Sequence, residues 1–147
     1  MTAPVVDRPL LGFAIAPLPE AAHRARHRVR DVLLTHRTAA VLVDDLEVIT
    51  SELVTNAVQH GHDQALIGVR LTLTCHGWIV LEISNKPSGP TGTVPTRQDA
   101  DAEAESGRGL ALVESIARCH GAGYGADVDT GGAITTWCSL PYRAEAA

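Results

Sequence analysis

The most restrictive stretch of the chain is an apolar run that reads as one long helix, from about Ala39 to His60, with Gly61 as a natural C-cap. Val41, Leu42, Leu46 and Ile49 recur through its first half, and Ser51-Glu52-Leu53-Val54-Thr55-Asn56-Ala57 continues it. Inside this helix sit Glu52 and Asn56, four residues apart and therefore on one face. Asparagine is a poor helix former because its amide competes for backbone hydrogen bonds, so packing alone would favour Ala or Leu at position 56. A carboxylate and an amide on a mostly buried helix need a partner, since burying them unpaired is unfavourable. The stretch itself leaves two open: a neighbouring loop, or a metal ion and its ligand.

At 147 residues the chain suits a single domain with a real core. Its core must come from Val, Leu, Ile and Ala, because Phe13, Trp78, Tyr124, Trp137 and Tyr142 are all its aromatics. A net charge of −5 points away from direct nucleic-acid binding, which normally presents a basic face. No apolar run approaches the roughly 18 residues of a membrane span, and the N-terminus has no pattern of a secretory signal. Cys75, Cys119 and Cys138 are far apart and lack C-x-x-C spacing, so they read as small buried hydrophobes in a reducing compartment. The expected setting is the cytoplasm.

Residues 1–10 read as a flexible tail, 11–141 as one domain and 142–147 as a C-terminal tail. Leu11 to Ala16 forms a short first strand, after which Pro19-Glu20 opens a helix carrying Ala22, Ala25, Val29, Val32 and Leu33. Arg24, Arg26, Arg28 and Arg30 alternate through that helix with His23 and His27. They could bind an acidic partner, but they spread around more than half the circumference, which favours a solvated face. Two strands, Ala65–Thr74 and Trp78–Ser84, flank a hairpin turn at His76-Gly77. After a loop and a third helix ending near His120-Gly121, two more strands run over 123–129 and 133–140, joined by the turn Asp129-Thr130-Gly131-Gly132. The order β-α-α-β-β-loop-α-β-β predicts an α+β fold: a two-layer α/β sandwich, mainly antiparallel, with three helices on one face.

Between Asn85 and Ser106 periodicity disappears, and a patternless stretch of about 20 residues inside a compact domain is often a lid or binding loop. It ends in Ser106-Gly107-Arg108-Gly109-Leu110, which leads into the third helix. Glycines let backbone N–H groups approach a phosphate closely, and a helix N-terminus favours negative charge. An ordinary flexible turn would have the same sequence. It is neither a P-loop nor a dinucleotide fingerprint, because no Gly-Lys-Ser/Thr follows and no parallel strand precedes. His60 and His62 lie near enough to approach such phosphates, although a helix-end cap or a solvated position suits them better.

The combination is more specific than its parts. Glu52-x-x-x-Asn56 on a helix, Leu81-Glu82-Ile83-Ser84-Asn85 entering a long loop, and Gly107-Arg108-Gly109-Leu110-Ala111-Leu112 leaving it resemble the N box, G1 box and G2 box of the GHKL (histidine kinase-like) ATPases. Ser51–Ala57 and Gly107–Glu114 are most similar to the stand-alone anti-sigma-factor serine kinases of bacteria, and the likeness runs from about Ala16 to Pro141. The resemblance implies ATP as the bound nucleotide, with Asn56 as a Mg²⁺ ligand through its amide oxygen. It implies Glu52 as the general base that takes a proton from a serine hydroxyl or a water. Gly107, Gly109 and Leu110 would hold the β- and γ-phosphates with Arg108 adding positive charge, and 86–106, Gly89 included, would form the ATP lid.

One position departs from that pattern. The G1 box normally carries an aspartate that accepts a hydrogen bond from the adenine amino group, and here Asn85 stands in its place. An amide accepts without the charge that strengthens such a bond, and flipped it would offer its NH₂ to the carbonyl of guanine. The expectation is weaker ATP binding and less discrimination against GTP. The resemblance implies a protein-serine kinase that sequesters a sigma factor, releases it to a STAS-type anti-anti-sigma antagonist, phosphorylates that antagonist, and forms a homodimer. The alternative is a non-catalytic partner-binding module of the same fold, which Asn85 favours and the intact Glu52 and Asn56 disfavour. A sensor histidine kinase would need a dimerising helical hairpin with a phospho-acceptor histidine, for which the chain leaves no room; His27 and His36 fall in a helix of the sandwich itself.

Overall fold

A computed structural model describes residues 6–61, 64–86 and 104–146, with side chains from residue 109 onward in the last stretch. Strand β1 spans Arg8–Ile15, helix α1 Ala21–Thr35, helix α2 Ala40–His60, strand β2 Ile67–Leu73 and strand β3 Trp78–Asn85. Helix α3 (Ala104–Cys119), strand β4 (Gly123–Val128) and strand β5 (Ile134–Pro141) complete the described elements. The five strands form one sheet in the order β1-β2-β3-β5-β4, and every neighbouring pair is antiparallel. The helices pack on one face of it, which is the expected two-layer α+β sandwich.

Period-two alternation sets which side chains enter the core. Leu71, Leu81 and Cys138 align across β2, β3 and β5 and are fully buried, as are Ile79 and Leu140 in the next inward row. The opposite face carries Arg70 and Glu82, register partners joined by an ion pair of 2.8 Å. On the helix side, α1 buries a strict i, i+4 stripe of Ala21, Ala25, Val29 and Leu33. Helix α2 buries Leu42, Val43, Leu46, Ile49, Leu53, Val54 and Ala57, more of its circumference than either neighbour among the described residues. It lies between α1 and α3, which explains its continuous apolar sequence.

The turns follow local chemistry. Gly77 has φ 83°, and the Thr74 hydroxyl accepts from the Trp78 N–H at 3.0 Å, which tightens the β2–β3 hairpin. Asp129 Oδ1 accepts from the N–H groups of Gly131 and Ala133, both at 2.9 Å, to close the β4–β5 turn.

Several boundaries differ from the sequence expectation. Residues 8–10 belong to β1 instead of to a tail, because Arg8 and Pro9 pair with Leu73 and Thr72 across the sheet edge. The segment after β5 is likewise tied down. The Ala39 N–H donates to Arg143 O at 2.9 Å, the Glu145 N–H to Arg37 O at 2.6 Å, and Thr38 bridges Ala144. This short strip holds the α1–α2 connection, where Arg37 adopts φ 54°. The expectation of three buried thiols holds for Cys138 alone, since Cys75 is half-buried and Cys119 is exposed at the end of α3.

Two measurements check this core. Leu81→Ala removes a fully buried side chain from the middle strand and should lower unfolding free energy in urea by about 2–5 kcal/mol. Burial pushes the Cys138 thiol from 9.0 up to about 12. The folded state therefore favours the neutral thiol, a contribution complete below pH 9.0 and lost as pH rises towards about 12. Thiolate is the reactive form, so at pH 8 a disulfide reagent should label Cys119 in the folded protein and leave Cys138 unlabelled until denaturant is added.

Candidate functional site

Asn56 lies on the half of α2 that faces the interior and is only 7% exposed. Its Oδ1 is buried with no hydrogen-bond partner among the described residues. Thr50, also polar and buried one and a half turns earlier, satisfies itself by donating to Leu46 O at 2.6 Å. A buried acceptor without a donor costs about 1–3 kcal/mol. An amide oxygen with an open lone pair suits a hard cation such as Mg²⁺, so the donor chemistry at Asn56 fits that ion.

Glu52, one turn earlier on the same face, is half-buried. Its carboxylate presses directly on Gly109 of α3: a Cβ at position 109 would collide with Glu52 Oε2 and stand 3.4 Å from Glu52 Cδ. Gly109 is thus glycine because α3 approaches the carboxylate so closely. Leu110 beside it is buried at 9% exposure and anchors this part of α3 in the core. The polar pair of α2 and the Gly-x-Gly segment therefore meet in space.

The third element arrives from the sheet. Asn85 is the last residue of β3, paired with Ile134 of β5 and half-buried. Its Nδ2 stands 2.8 Å from where a Cβ of Gly61 would be, and the same Cβ would strike Ala57 O. Gly61 has φ −87° and ψ 171°, an extended conformation open to any residue. Gly61 is the C-cap residue, as expected, with its N–H donating to Ala57 O at 2.8 Å, but the glycine is needed for room and not for a left-handed turn. From sequence, Gly61 gives no sign of a site role, since a glycine closing a helix is ordinary. Its five-residue separation from Asn56 on the same helix end is the one available signal.

The Gly-x-Gly segment sits differently from expectation. Helix α3 begins at Ala104, so Gly107, Arg108 and Gly109 lie within its first two turns instead of ahead of it. Only the opening N–H groups of a helix lack an intrahelical acceptor, and Gly109 lies beyond them. Ala104 and Glu105 are strong helix formers that carry the helix back past the glycines. The expected lid over 86–106 accordingly loses its last three residues to α3, while Gly89, His62 and most of that lid lie outside the described residues. Among the described residues no group of His, Cys, Asp and Glu is arranged to hold a metal by itself. No helix there is long and apolar enough to cross a membrane.

A buried helix supplying an amide oxygen without a partner among the described residues and a carboxylate is thus faced by a glycine-bearing helix and the end of a central strand, one polar cluster on an α+β sandwich. Residues 15–132 match the family model of the histidine kinase-like ATPase domain. The chain belongs to the histidine kinase-like ATPase family. No curated protein sequence matches it significantly.

Among solved structures, it is similar to the RsbU and RsbW domains of Rv1364c from Mycobacterium tuberculosis, with a TM-score of 0.65 and 18% identity. That match covers 99% of this chain and 35% of the other, so the chain spans about a third of that larger protein. The SiaB–SiaC complex from Pseudomonas aeruginosa gives a TM-score of 0.67 at 12% identity, covering 90% of each chain. The mycobacterial sensor histidine kinase MprB gives 0.55 at 18% identity, covering 91% of this chain and 99% of that one. At these identities the likeness is one of fold.

The orphaned oxygen predicts an unusual stability effect. Asn56→Leu removes a buried unpaired acceptor and should raise the melting temperature of the metal-free protein by a few degrees, about 1 kcal/mol. The same variant should lose the thermal shift given by Mg²⁺ with nucleotide. A variant that melts well below the parent would show that Asn56 is a structural residue.

Proposed function

We propose that this protein is an ATP-dependent protein-serine kinase of the anti-sigma type. The observation that carries the reading is the buried Oδ1 of Asn56, without a partner among the described residues and one helical turn from Glu52. Asn56 and Mg²⁺ suit each other, and the ion would supply charge neutralisation at the nucleotide phosphates. The protein's own residues do the rest. The first turn of α3, with Gly107 and Arg108, holds the β- and γ-phosphates through opening N–H groups and a guanidinium that favour negative charge, while Gly109 and Leu110 behind it set α3 against Glu52 and the core. Residues 86–103 with Gly89 cover the nucleotide.

Glu52 accepts the proton of a serine hydroxyl as its oxygen bonds to the γ-phosphorus. The bond from that phosphorus to the bridging oxygen breaks, and the electron pair leaves with ADP. Positioning and charge neutralisation supply most of the acceleration. The acceptor is an anti-anti-sigma protein of STAS type, the sequestered partner is a sigma factor, the working form is a homodimer, and the setting is the cytoplasm. Likeness in fold to a structure containing an RsbW domain, and to one solved as a complex of two proteins, supports a partner-switching role.

Asn85 favours a second reading, a partner-binding module with weak nucleotide affinity. It occupies the end of β3 with a neutral amide where a carboxylate would bind adenine more strongly. One set of measurements separates the two. With labelled ATP and candidate antagonists, wild type should transfer label, and Glu52→Ala should lose it by about 10²–10⁴-fold while still binding nucleotide. Calorimetry on Asn85→Asp should give ATP affinity about tenfold higher and weaker acceptance of GTP. Absence of transfer by wild type with every antagonist would leave the binding module as the function.

A further inference from the structure

Helix α3 is fixed to α2 at two points far apart along its length. At the front, Gly109 lies so close to the Glu52 carboxylate that a Cβ there would collide with it. At the rear, His120 Nε2 stands 2.6 Å from Asp45 Oδ2. The earlier residue of one helix meets the later residue of the other at each point, so α2 and α3 run in opposite senses. Sequence spacing puts each set on one stripe. Asp45, Glu52 and Asn56 are separated by seven and then four residues, about two turns and one, and Gly109 and His120 by eleven, about three turns. The stripe of α2 that carries the polar cluster is thus continued, two turns before Glu52, by the residue that holds the far end of α3.

The rear contact is well placed to hold that helix. A carboxylate only accepts, so the His120 Nε2–H is the donor whichever charge the ring carries. The His120 side chain is 11% exposed and that of Asp45 28%, so water and salt compete with the contact less than with a surface pair. The helix end itself is closed. The Ala122 N–H donates to Ala117 O at 2.8 Å and the Gly121 N–H to Arg118 O at 3.1 Å, with Gly121 at φ 63°, which is a Schellman closure. Ala117 is buried and Ala122 packs against the same core. His120 is therefore the last residue before the reversal, on a tied helix end, and a restraint on it acts on the helix as a body. Between the two points α3 meets the core through Leu110, Val113 and Ala117, all apolar. Apolar contact is non-directional, whereas a hydrogen bond has a preferred length and angle. The clasp adds what the packing lacks, a fixed register along the helix axis.

We propose that Asp45 and His120 are a positioning pair that sets the register of α3 on α2, and so holds the first turn of α3 in place relative to Glu52 and Asn56. The inference rests on the kinase reading and deepens it, by naming what keeps the phosphate-holding helix aligned with the base. His120 lies about 16 Å along the axis from Gly109, so the pair acts through α3 and not on the nucleotide. A shift of about 1 Å between reacting groups costs up to about a hundredfold in rate. A slipped α3 still presents its opening N–H groups to phosphate, so rate suffers more than affinity.

The test uses the full chain with Asp45→Ala, His120→Ala, the double variant and His120→Gln, whose amide N–H can replace the imidazole donor. Arg118→Ala is the control, since Arg118 pairs with Glu114 at 2.8 Å within α3 itself. Two readouts are taken well below each melting temperature: label transfer, and hydrogen exchange of the Leu110 to Val113 amides without nucleotide. Asp45→Ala and His120→Ala should each lower kcat about tenfold with nucleotide KM changed less than about threefold. Each should also speed exchange of those amides at least about fivefold. The double variant should match the single ones, because all three remove one contact. His120→Gln should keep most of both properties, and Arg118→Ala should change neither by more than about twofold. Wild-type exchange in Asp45→Ala, additive losses in the double variant, a loss in His120→Gln equal to that in His120→Ala, or an Arg118→Ala effect as large as that of Asp45→Ala would overturn the proposal. So would an unchanged kcat in Asp45→Ala where wild type transfers label. Exchange does not depend on transfer, so a wild type that transfers nothing refutes the kinase reading alone, and exchange still decides the clasp.

Discussion

A helix buried on most of its circumference must satisfy the polar atoms it carries, and among the described residues α2 leaves two unsatisfied, Ser51 Oγ and the amide oxygen of Asn56. Thr50 turns its hydroxyl back to its own helix, whereas Asn56 directs an amide oxygen to a place where no described donor meets it. In a core of Val, Leu, Ile and Ala such an atom is a net loss to folding. The rest of the structure is arranged around that loss. Helix α3 is brought against Glu52 through Gly109, and β3 ends with Asn85 against Gly61. Both glycines stand where a single methyl group would push the neighbouring polar side chain aside.

The sheet and the helix layer have different parts in this arrangement. The antiparallel sheet sets the position at which Asn85 ends β3, because its register with Ile134 is fixed on the β5 side. The helices supply the polar groups. Their relative positions are held by packing and by a polar clasp, the His120–Asp45 pair at 2.6 Å between the end of α3 and α2. The C-terminal strip adds a further restraint at the α1–α2 connection. The polar cluster of Glu52, Asn56 and Asn85 is therefore held between the helix layer and the end of β3.

Much of this was legible in the sequence because it is local. The period of the apolar residues gives the helices and strands, and the turns at Gly77 and Asp129–Gly132 follow from their own residues. Glu52 and Asn56 announce themselves as polar residues four apart in an apolar helix. The start of α3 was harder to read. Glycines at 107 and 109 suggest a loop, yet Ala104 and Glu105 carry the helix through them. The residues at the chain ends were harder still, since pairing of Arg8 with Leu73 and of Thr38 with Ala144 depends on segments distant in sequence.

The amino-acid sequence by itself determined the element order, the family likeness and the polar pair on α2. Each of these is carried by local periodicity or by residues at short fixed spacings. Tertiary structure alone decided which glycines make room and for whom, and which way each arginine of α1 is turned. Gly109 meets Glu52 across 57 positions and Gly61 meets Asn85 across 24, contacts that no period encodes. The split of Arg26 and Arg30 from Arg28 arises because α1 is pinned by its buried stripe, which turns one pair towards α2 and the other residue over Phe13.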